Sequence, residues 1–268
     1  MKILFGILIF IFFPVDAEGQ QRRRDVALEG AVNFRDMGEY STTDYRSTVR
    51  GKVYRAGDIS KLTDADMEEL KRRKIYTVID FRSEADAAAA PDRLLPGANY
   101  ISLPAGSVSA ADIASLIEKH NSGMDAMVAL YSDVSHFRDK YRQFFRQLIL
   151  LPDTSALLFH CSTGKDRAGI AAALFLYTLD IPIETIISDY LASNHFRLNE
   201  NQKNIDCMVN EHGIDRKMAA ELMDANPRYL ESMFQALRRQ HGSIDSFLSK
   251  ELGINEIVKY RLREKFLQ

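Results

Sequence analysis

The chain has 268 residues, of which 46% are hydrophobic and 27% are charged. This balance is that of an ordinary globular protein with a sizeable buried core. The formal net charge is −2, so no global positive charge favours nucleic acid or an anionic membrane, and any anion binding must be local. We therefore expect no nucleic-acid partner.

The N-terminus has the pattern of a secretory signal peptide, with an unbroken apolar run over residues 3–13 and a small-x-small sequence that ends at Ala17. A membrane anchor is the alternative, because three arginines at 22–24 follow the run. However, the run is much shorter than the roughly 20 residues that cross a bilayer. The sequence predicts a signal peptide over residues 1–17 and a single periplasmic or secreted domain over 18–268, without a membrane anchor after cleavage.

Short apolar segments predict the strands of a sheet. IYTVIDF (residues 75–81) and ALLFHC (156–161) are rich in β-branched, aromatic or aliphatic residues and are bounded by polar or turn-forming residues, as buried strands are. KVYRA (52–56) and ANYISLP (98–104) are weaker strand predictions.

Helical patterns separate and follow these strands. Thr63 is a predicted N-cap, and Asp66 three residues later completes a variant of the capping box. Residues 169–179 are apolar on nearly every side, which predicts a core helix. Asn226 and Pro227 cap and start a further helix, and the remainder of the chain has the pattern of short helices.

This order of elements predicts an α/β fold. Strands that alternate with helices favour a central, mostly parallel sheet flanked by helices, followed here by a helical C-terminal half. Residues 107–150 carry a helical pattern without a strand signal. We expect this segment to be a helical insertion that forms a lid over one edge of the sheet.

The sequence FHCSTGKDRAGI (159–170) joins the second buried strand to the core helix. Open α/β sheets place ligands at the carboxyl ends of their strands, and a tight turn into a helix N-terminus makes a cradle for an anion. Gly164 allows the turn, Arg167 offers a planar fork of donors and Lys165 adds a positive charge. These surroundings favour the thiolate of Cys161, so the pattern predicts a nucleophile below a bound phosphate.

The stretch HCSTGKDRAG resembles the signature loop of the cysteine-dependent protein tyrosine phosphatases. Four further stretches occur in the order found in bacterial tyrosine phosphatases with a Gly-Lys-Asp-Arg loop. They are NFRDMGEY (33–40), VYRAGDISKLTDADMEEL (53–70), VIDFRSEAD (78–86) and SDYLASN (188–194). The resemblance implies a phosphoric monoester hydrolase that acts on phosphotyrosine proteins and needs no metal or other cofactor. Lys165 next to Asp166 is associated in this branch with lipid phosphates, so phosphoinositides are an alternative substrate.

The resemblance also implies roles for individual residues. Cys161 would attack phosphorus and form a thiophosphate intermediate. The oxygens of the phosphoryl group would be held by the Arg167 side chain and by the backbone of Ser162, Thr163, Gly164, Lys165, Asp166 and Arg167. His160 would orient the loop, and Arg35 with Asp36 would brace it.

Two carboxylates are candidates for the general acid that protonates the leaving group. Asp80 is the first, because it ends its strand as Cys161 ends the neighbouring one, which places both at the same sheet edge. Asp166 lies in the loop itself and is the second. The alternative role for Asp80 is an ion pair with Arg82 or Arg35.

Two features leave other interpretations open. Ala168 stands where many members carry a threonine or serine that assists departure of the cysteine sulfur, so a weakly active or non-catalytic phosphate-binding module is an alternative. Cys161 and Cys207 are the only cysteines, and in an oxidising compartment they could instead form a disulfide.

Overall fold

The computed structural model describes residues 24–105, 115 and 117–268. The predicted signal peptide and the beginning of the predicted lid lie outside the described residues. Within the described ranges, no helix is both long enough and apolar enough to cross a bilayer.

The described residues contain a five-stranded sheet with the order β1-β2-β5-β3-β4. β1 is antiparallel to β2, and the other three strand pairs are parallel. The four predicted strands are confirmed to within two residues at each end, whereas the two-residue β1 is too short to show a periodic pattern. The strands are β1 Arg35–Asp36, β2 Val53–Ala56, β3 Ile75–Asp80, β4 Asn99–Ser102 and β5 Ala156–His160.

Helices flank the sheet and form all the regular structure after β5, which confirms the α/β class and the helical C-terminal half. Thr63 caps the first helix: its hydroxyl accepts from the N–H of Asp66, whose carboxylate accepts from the N–H of Thr63 at 2.9 Å. The helices of the described residues are α1 Asp64–Arg72, α2 Glu84–Ala89, α3 Gly123–Ser132, α4 Phe137–Leu150, α5 Arg167–Thr178, α6 Ile183–Phe196, α7 Leu198–His212, α8 Arg216–Met223, α9 Pro227–His241, α10 Ile244–Lys250 and α11 Glu256–Phe266.

The two faces of the sheet build two separate cores. Successive side chains of a strand point to opposite faces, and β5 follows this rule. Leu157 and Phe159 pack into the large core with the helices that follow β5. Ala156 and Leu158 pack into a smaller core on the other face, which includes Leu70 of α1. β5 is therefore buried on both faces, as its continuous apolar sequence indicates.

The described part of residues 107–150 is packed into the large core. α4 turns an apolar face inward, and Phe144 of α4 lies 5.2 Å from the ring centroid of Phe159 in β5. Gly123 of α3 packs so closely on α8 that a Cβ atom would lie 2.6 Å from the Met218 carbonyl oxygen. The predicted helical character is confirmed here, but these two helices are core elements. A lid stays a prediction for residues 107–114, which lie outside the described residues.

Candidate active site

The site lies where the parallel strands end. Ala56 of β2, Asp80 of β3 and His160 of β5 are in register across the sheet. The loop 161–167 starts directly after β5 and leads into α5, so it lies at the carboxyl edge of the sheet, where open α/β folds bind ligands.

The backbone carbonyls of residues 162–165 face outward, and those of 166 and 167 lie in the first turn of α5. Each carbonyl from residue 162 to 167 accepts a hydrogen bond from a donor outside the loop. The donors are Asp58 N to Ser162 (3.2 Å), Asn33 Nδ2 to Thr163 (3.0 Å), Arg55 Nε to Gly164 (2.8 Å), Arg55 Nη2 to Lys165 (3.2 Å), Ile170 N to Asp166 (2.8 Å) and Tyr141 Oη to Arg167 (3.2 Å). A loop with its carbonyls turned outward presents N–H groups inward, here next to the N-terminus of α5. The N–H of Lys165 is an exception, because it donates to Thr163 Oγ1 at 3.2 Å. This arrangement can bind an anion.

Gly164 is required by the close approach of the loop to β2. Its φ is +68°, and a Cβ atom would lie 2.5 Å from the carbonyl oxygen of Ala56. Any side chain would therefore both strain the backbone and push the loop away from the sheet. The predicted need for glycine in this turn is confirmed.

A buried ion cluster supports the loop from behind. Asp189 of α6 binds Arg55 of β2 through Oδ2 at 2.6 Å and Arg35 of β1 through Oδ1 at 2.9 Å. The hydroxyl of Tyr40 also donates to Asp189 Oδ1, at 2.6 Å. Because Arg55 also donates to two loop carbonyls, it links Asp189 directly to the shape of the loop.

Burial and the charges of the neighbouring side chains together determine the pKa values in this cluster. Burial alone raises the pKa of Asp189, but the charges of Arg35 and Arg55 outweigh it and hold this pKa well below its usual range. Burial and the neighbouring Arg35 lower the pKa of Arg55 to about 10, against the opposing charge of Asp189. Asp189 and Arg55 are therefore both charged at neutral pH. Arg35 thus belongs to the cluster that supports the loop, the role expected for it from the sequence. Asp36 instead accepts hydrogen bonds from the N–H groups of Gly38 and Gly51.

Cys161 lies fully buried at the start of the loop. Arg55 and Arg197 are close enough to interact electrostatically with its sulfur. Cys161 and Cys207 are both free, so the disulfide alternative is wrong. The sulfur is left available for nucleophilic chemistry.

Arg167 is the first residue of α5, and its guanidinium folds back over the loop. Nη1 donates to the carbonyl of Phe81 at 3.2 Å, and Nη2 donates to Ser162 Oγ at 3.1 Å. Nε is buried and has no hydrogen-bond partner among the described residues. A buried donor without a partner is costly, and a bound oxyanion would satisfy this one.

Asp166 and Lys165 lie next to each other but have different surroundings. The Asp166 carboxylate is 19% exposed and accepts from the hydroxyl of Tyr131 at 2.7 Å. Lys165 is buried, and its ammonium donates to the carbonyls of Leu222 at 2.7 Å and Asp224 at 3.3 Å, at the end of α8. The protein itself therefore uses the donors of Lys165, which favours a structural role over the predicted contact with phosphate.

Asp80 lies at the same sheet edge, as expected, but it is fully buried in an ion pair with Arg82. Three of its hydrogen bonds come from the Arg82 side chain, at 2.8 to 3.0 Å. Burial raises the pKa of Asp80, but the hydrogen bonds of Arg82 and the charge of His160 outweigh it, so the pKa lies below its usual range. Arg82 occupies both oxygens of this fully buried carboxylate, whereas the Asp166 carboxylate is partly exposed. This placement favours the alternative role of Asp80, the ion pair.

His160 belongs to the same network. Its Nε2 lies 2.8 Å from Asp92 Oδ2 and 3.8 Å from Asp80 Oδ1. These three side chains bring metal-binding atoms within 4.8 Å of one another, but Arg82 forms ion pairs with both carboxylates. Arg82 thus already binds both carboxylates, and the network anchors the residue that precedes Cys161.

Four residues of the site were not identified from the sequence: Arg55, Tyr131, Asp189 and Arg197. Arg197 of the α6–α7 junction is buried and donates to the Thr163 carbonyl at 3.2 Å. Arg55 could have been identified from the sequence, because a charged residue inside a predicted strand needs a buried partner. Asp189 lies within SDYLASN, a stretch that stood out only through the resemblance to the family.

A cavity of about 520 Å³ opens beside the loop. Its walls include Ser162 and Thr163 of the loop, together with Asp58, Lys61 and Arg197. Its volume lies in the range of small-molecule sites. Asp166 and Arg167 do not line this cavity but a smaller one of about 30 Å³, together with Tyr131 and Tyr141.

A parallel sheet edge that carries a buried cysteine, a loop of outward-facing carbonyls and a closing arginine is the arrangement of a hydrolase of the tyrosine phosphatase type. Residues 26–268 match the tyrosine phosphatase family, and the chain belongs to this family. The chain is accordingly a phosphoric monoester hydrolase with phosphatase activity on phosphotyrosine, as the resemblance implied.

Two relatives that align over most of both chains support this assignment. A Cupriavidus necator protein named as a tyrosine-protein phosphatase is 28% identical over 244 residues, covering 89% of this chain and 88% of that protein. The triple specificity protein phosphatase PtpB of Mycobacterium tuberculosis is 27% identical over 274 residues, covering 88% of this chain and 96% of that protein. The solved structure of P. aeruginosa TpbA, at 17% identity and a TM-score of 0.34, covers 69% of this chain and 96% of that chain.

Proposed function

We propose that the chain dephosphorylates phosphotyrosine proteins through a cysteinyl-phosphate intermediate, in the periplasm or outside the cell. The observation that carries the mechanism is the outward orientation of the four consecutive carbonyls of residues 162–165. It leaves the inner side of the loop to N–H groups, with Cys161 at the start of the loop. The location rests on the predicted signal peptide.

In the first step, the N–H groups of the loop and Arg167 hold the phosphoryl oxygens, with the free Nε of Arg167 as one donor. The sulfur of Cys161 attacks phosphorus, and the bond between phosphorus and the tyrosine oxygen breaks. Asp166 transfers its proton to this oxygen, so that tyrosine leaves as a neutral phenol. The phosphoryl group is then bound to Cys161.

In the second step, a water molecule attacks phosphorus while Asp166 takes up a proton from it. The sulfur–phosphorus bond breaks, and the thiolate of Cys161 and inorganic phosphate are released. Ala168 is buried and offers no hydroxyl to the departing sulfur. Ser162 Oγ, already a hydrogen-bond partner of Arg167, is the hydroxyl of the loop that we assign to this task.

Phosphotyrosine proteins are favoured over phosphoinositides because of Lys165. The resemblance associates this lysine with lipid phosphates, but its ammonium is held by the carbonyls of Leu222 and Asp224. A buried cation that is already paired adds little attraction for a further phosphate.

The test is the hydrolysis of a substrate panel by the purified mature domain under reducing conditions. We expect kcat/KM for a phosphotyrosine peptide to exceed that for a matched phosphoserine peptide and for a short-chain phosphoinositide by at least about tenfold, since only the aryl ester has a good leaving group. Equal or faster release of phosphate from the phosphoinositide would favour the lipid alternative instead.

The choice between Asp166 and Asp80 is tested with aryl phosphates that have good and poor leaving groups. We expect Asp166→Asn to lower kcat by about 10²- to 10⁴-fold for the poor leaving group and much less for the good one, which departs without a proton. Asp80→Asn, which weakens the ion pair with Arg82, is expected to lower stability and to keep the wild-type ratio between the two substrates. The opposite pattern would assign acid catalysis to Asp80.

A further inference from the structure

Tyr131 of α3 binds the carboxylate of Asp166 from within the core. Its side chain is buried, and its hydroxyl donates to Asp166 Oδ1 at 2.7 Å. The same hydroxyl lies 2.8 Å from the hydroxyl of Tyr190 in α6. Since Tyr131 has one proton and gives it to Asp166, Tyr190 must be the donor in the second bond. The two hydroxyls form a directed chain that ends on Oδ1.

Lys165 is a second donor on the same carboxylate oxygen. Its ammonium lies 3.4 Å from Asp166 Oδ1, while the end of α8 holds this ammonium in place. The other oxygen, Oδ2, has a weaker contact, with Thr163 Oγ1 at 3.5 Å, the outer limit of a hydrogen bond. The two oxygens of Asp166 are therefore unequal.

We propose that Tyr131 is a positioning residue that pins Oδ1 of Asp166, so that Oδ2 alone exchanges the proton with the leaving group and with water. This inference rests on the proposed function and deepens it. In the first step the proton moves from Oδ2 to the leaving oxygen as the bond to phosphorus breaks. In the second, Oδ2 accepts a proton from the attacking water as the sulfur–phosphorus bond breaks.

Tyr131 does not itself exchange this proton. Burial, followed by the charge of Asp166, raises the pKa of Tyr131 well above its usual value. Its hydroxyl is therefore a permanent donor at the pH at which the enzyme works, and it stabilises the ionised carboxylate. The ring is also fixed by its packing on Tyr190 and Tyr229, with centroids 6.1 and 5.8 Å away.

Other groups act on the same carboxylate from the elements packed around it. The titratable and charged groups that interact with Asp166 are Lys165 in the loop, Arg197 before α7, and Tyr131, Tyr141, Tyr190 and Tyr229 from α3, α4, α6 and α9. Of the four tyrosines, only Tyr131 donates directly to Asp166. Tyr229 donates to the Glu221 carbonyl instead, at 2.7 Å, and Tyr141 to the Arg167 carbonyl.

The experiment compares Tyr131→Phe with Tyr229→Phe, which removes a buried hydroxyl of the same tyrosine cluster without touching Asp166. We expect Tyr131→Phe to lower kcat for a poor-leaving-group aryl phosphate by about 10- to 100-fold with little change in KM, because a misplaced proton donor costs this much. Without the donor the carboxylate is less stabilised, so the limb of the pH–rate profile that reports its ionisation moves to higher pH. Tyr190→Phe should move the same limb in the same direction by less, and Tyr229→Phe should leave it in place.

The double variant Tyr131→Phe with Asp166→Asn supplies the decisive control. If Tyr131 acts only through Asp166, the double variant should have the same kcat as Asp166→Asn alone. A fully additive loss, or a Tyr131→Phe profile that coincides with wild type, overturns the inference. If Asp166→Asn keeps wild-type kcat while Cys161→Ser is inactive, the inference and the assignment of Asp166 as the acid both fail. The assignment of Cys161 as the nucleophile is then still supported. If Cys161→Ser turns over like wild type, the proposed mechanism itself fails.

Discussion

Cys161→Ser is expected to lower kcat for an aryl phosphate by on the order of 10⁴-fold or more. A serine hydroxyl in the same place is far less ionised than a thiol, and the described residues around it show no base aimed at it. The loop N–H groups and Arg167 are unchanged, so the variant should still bind inorganic phosphate. Steady-state kinetics and isothermal titration with phosphate measure the two effects separately.

Cys207→Ser is the matched control, because it removes the other cysteine, on α7 outside the site. It should keep wild-type kcat. Turnover by Cys161→Ser at the wild-type rate would contradict the cysteinyl-phosphate mechanism. Acid-quenched wild-type enzyme should carry one phosphoryl group by intact mass, and the Cys161→Ser variant none. A wild-type protein that binds phosphate without turnover would point instead to the non-catalytic module that Ala168 leaves open.

Asp189→Asn is expected to lower the free energy of unfolding by about 3–5 kcal/mol, the cost of breaking a buried ion pair by removing one partner. Arg35 and Arg55 would remain buried without a compensating charge. Domains of this kind are stable by only about 5–15 kcal/mol, so the loss is a large share of the total. The activity of the folded fraction should also fall, because Arg55 holds the carbonyls of Gly164 and Lys165. Urea denaturation and kinetics below the transition measure both effects.

The same variant changes the response of stability to acid. The pKa of Asp189 is lowered in the folded state, so its stabilisation is fully present above its unfolded pKa of about 3.9 and is lost as pH falls from there toward the folded pKa. Wild-type stability should therefore drop below about pH 4 more steeply than that of Asp189→Asn. Asp80, whose pKa is also lowered, contributes equally to both proteins.

Asp206→Asn is the control for this experiment. Asp206 of α7 also forms a close ion pair, with Arg216 at 2.6 Å, but at the surface. Exposed pairs contribute little because water and salt screen them, so the denaturation midpoint should stay at the wild-type value. Equal losses for Asp189→Asn and Asp206→Asn would show that burial of the cluster does not control its contribution.

Much of the fold and the centre of the site could be predicted because their signals are local. The capping box at Thr63 and Asp66 involves residues three apart. Cys161, Gly164 and Arg167 lie within one turn between a strand and a helix, so their spacing alone brings them together. A buried strand such as β5 is recognisable from its continuous apolar sequence. The two residues of β1 are too few to show a periodic pattern.

The residues that orient the chemistry could not be predicted in the same way. From the sequence, Asp80 was the first candidate for the acid and Asp166 the second, whereas the structure places Asp80 in an ion pair and Tyr131 on Asp166. Lys165 resembled a phosphate ligand until its ammonium was found on the Leu222 carbonyl.

The sequence by itself predicted the nucleophile and the anion-binding loop, and it determined the α/β class and the order of the elements. Only the tertiary structure showed which carboxylate is held in an ion pair and which cations are already paired. The physical reason is separation along the chain: Tyr131 and Asp166 are 35 positions apart, Lys165 and Leu222 are 57 apart, and Arg55 and Asp189 are 134 apart. Periodicity and spacing report contacts within a few residues, whereas the charge state of a buried group depends on partners that only the folded chain brings to it.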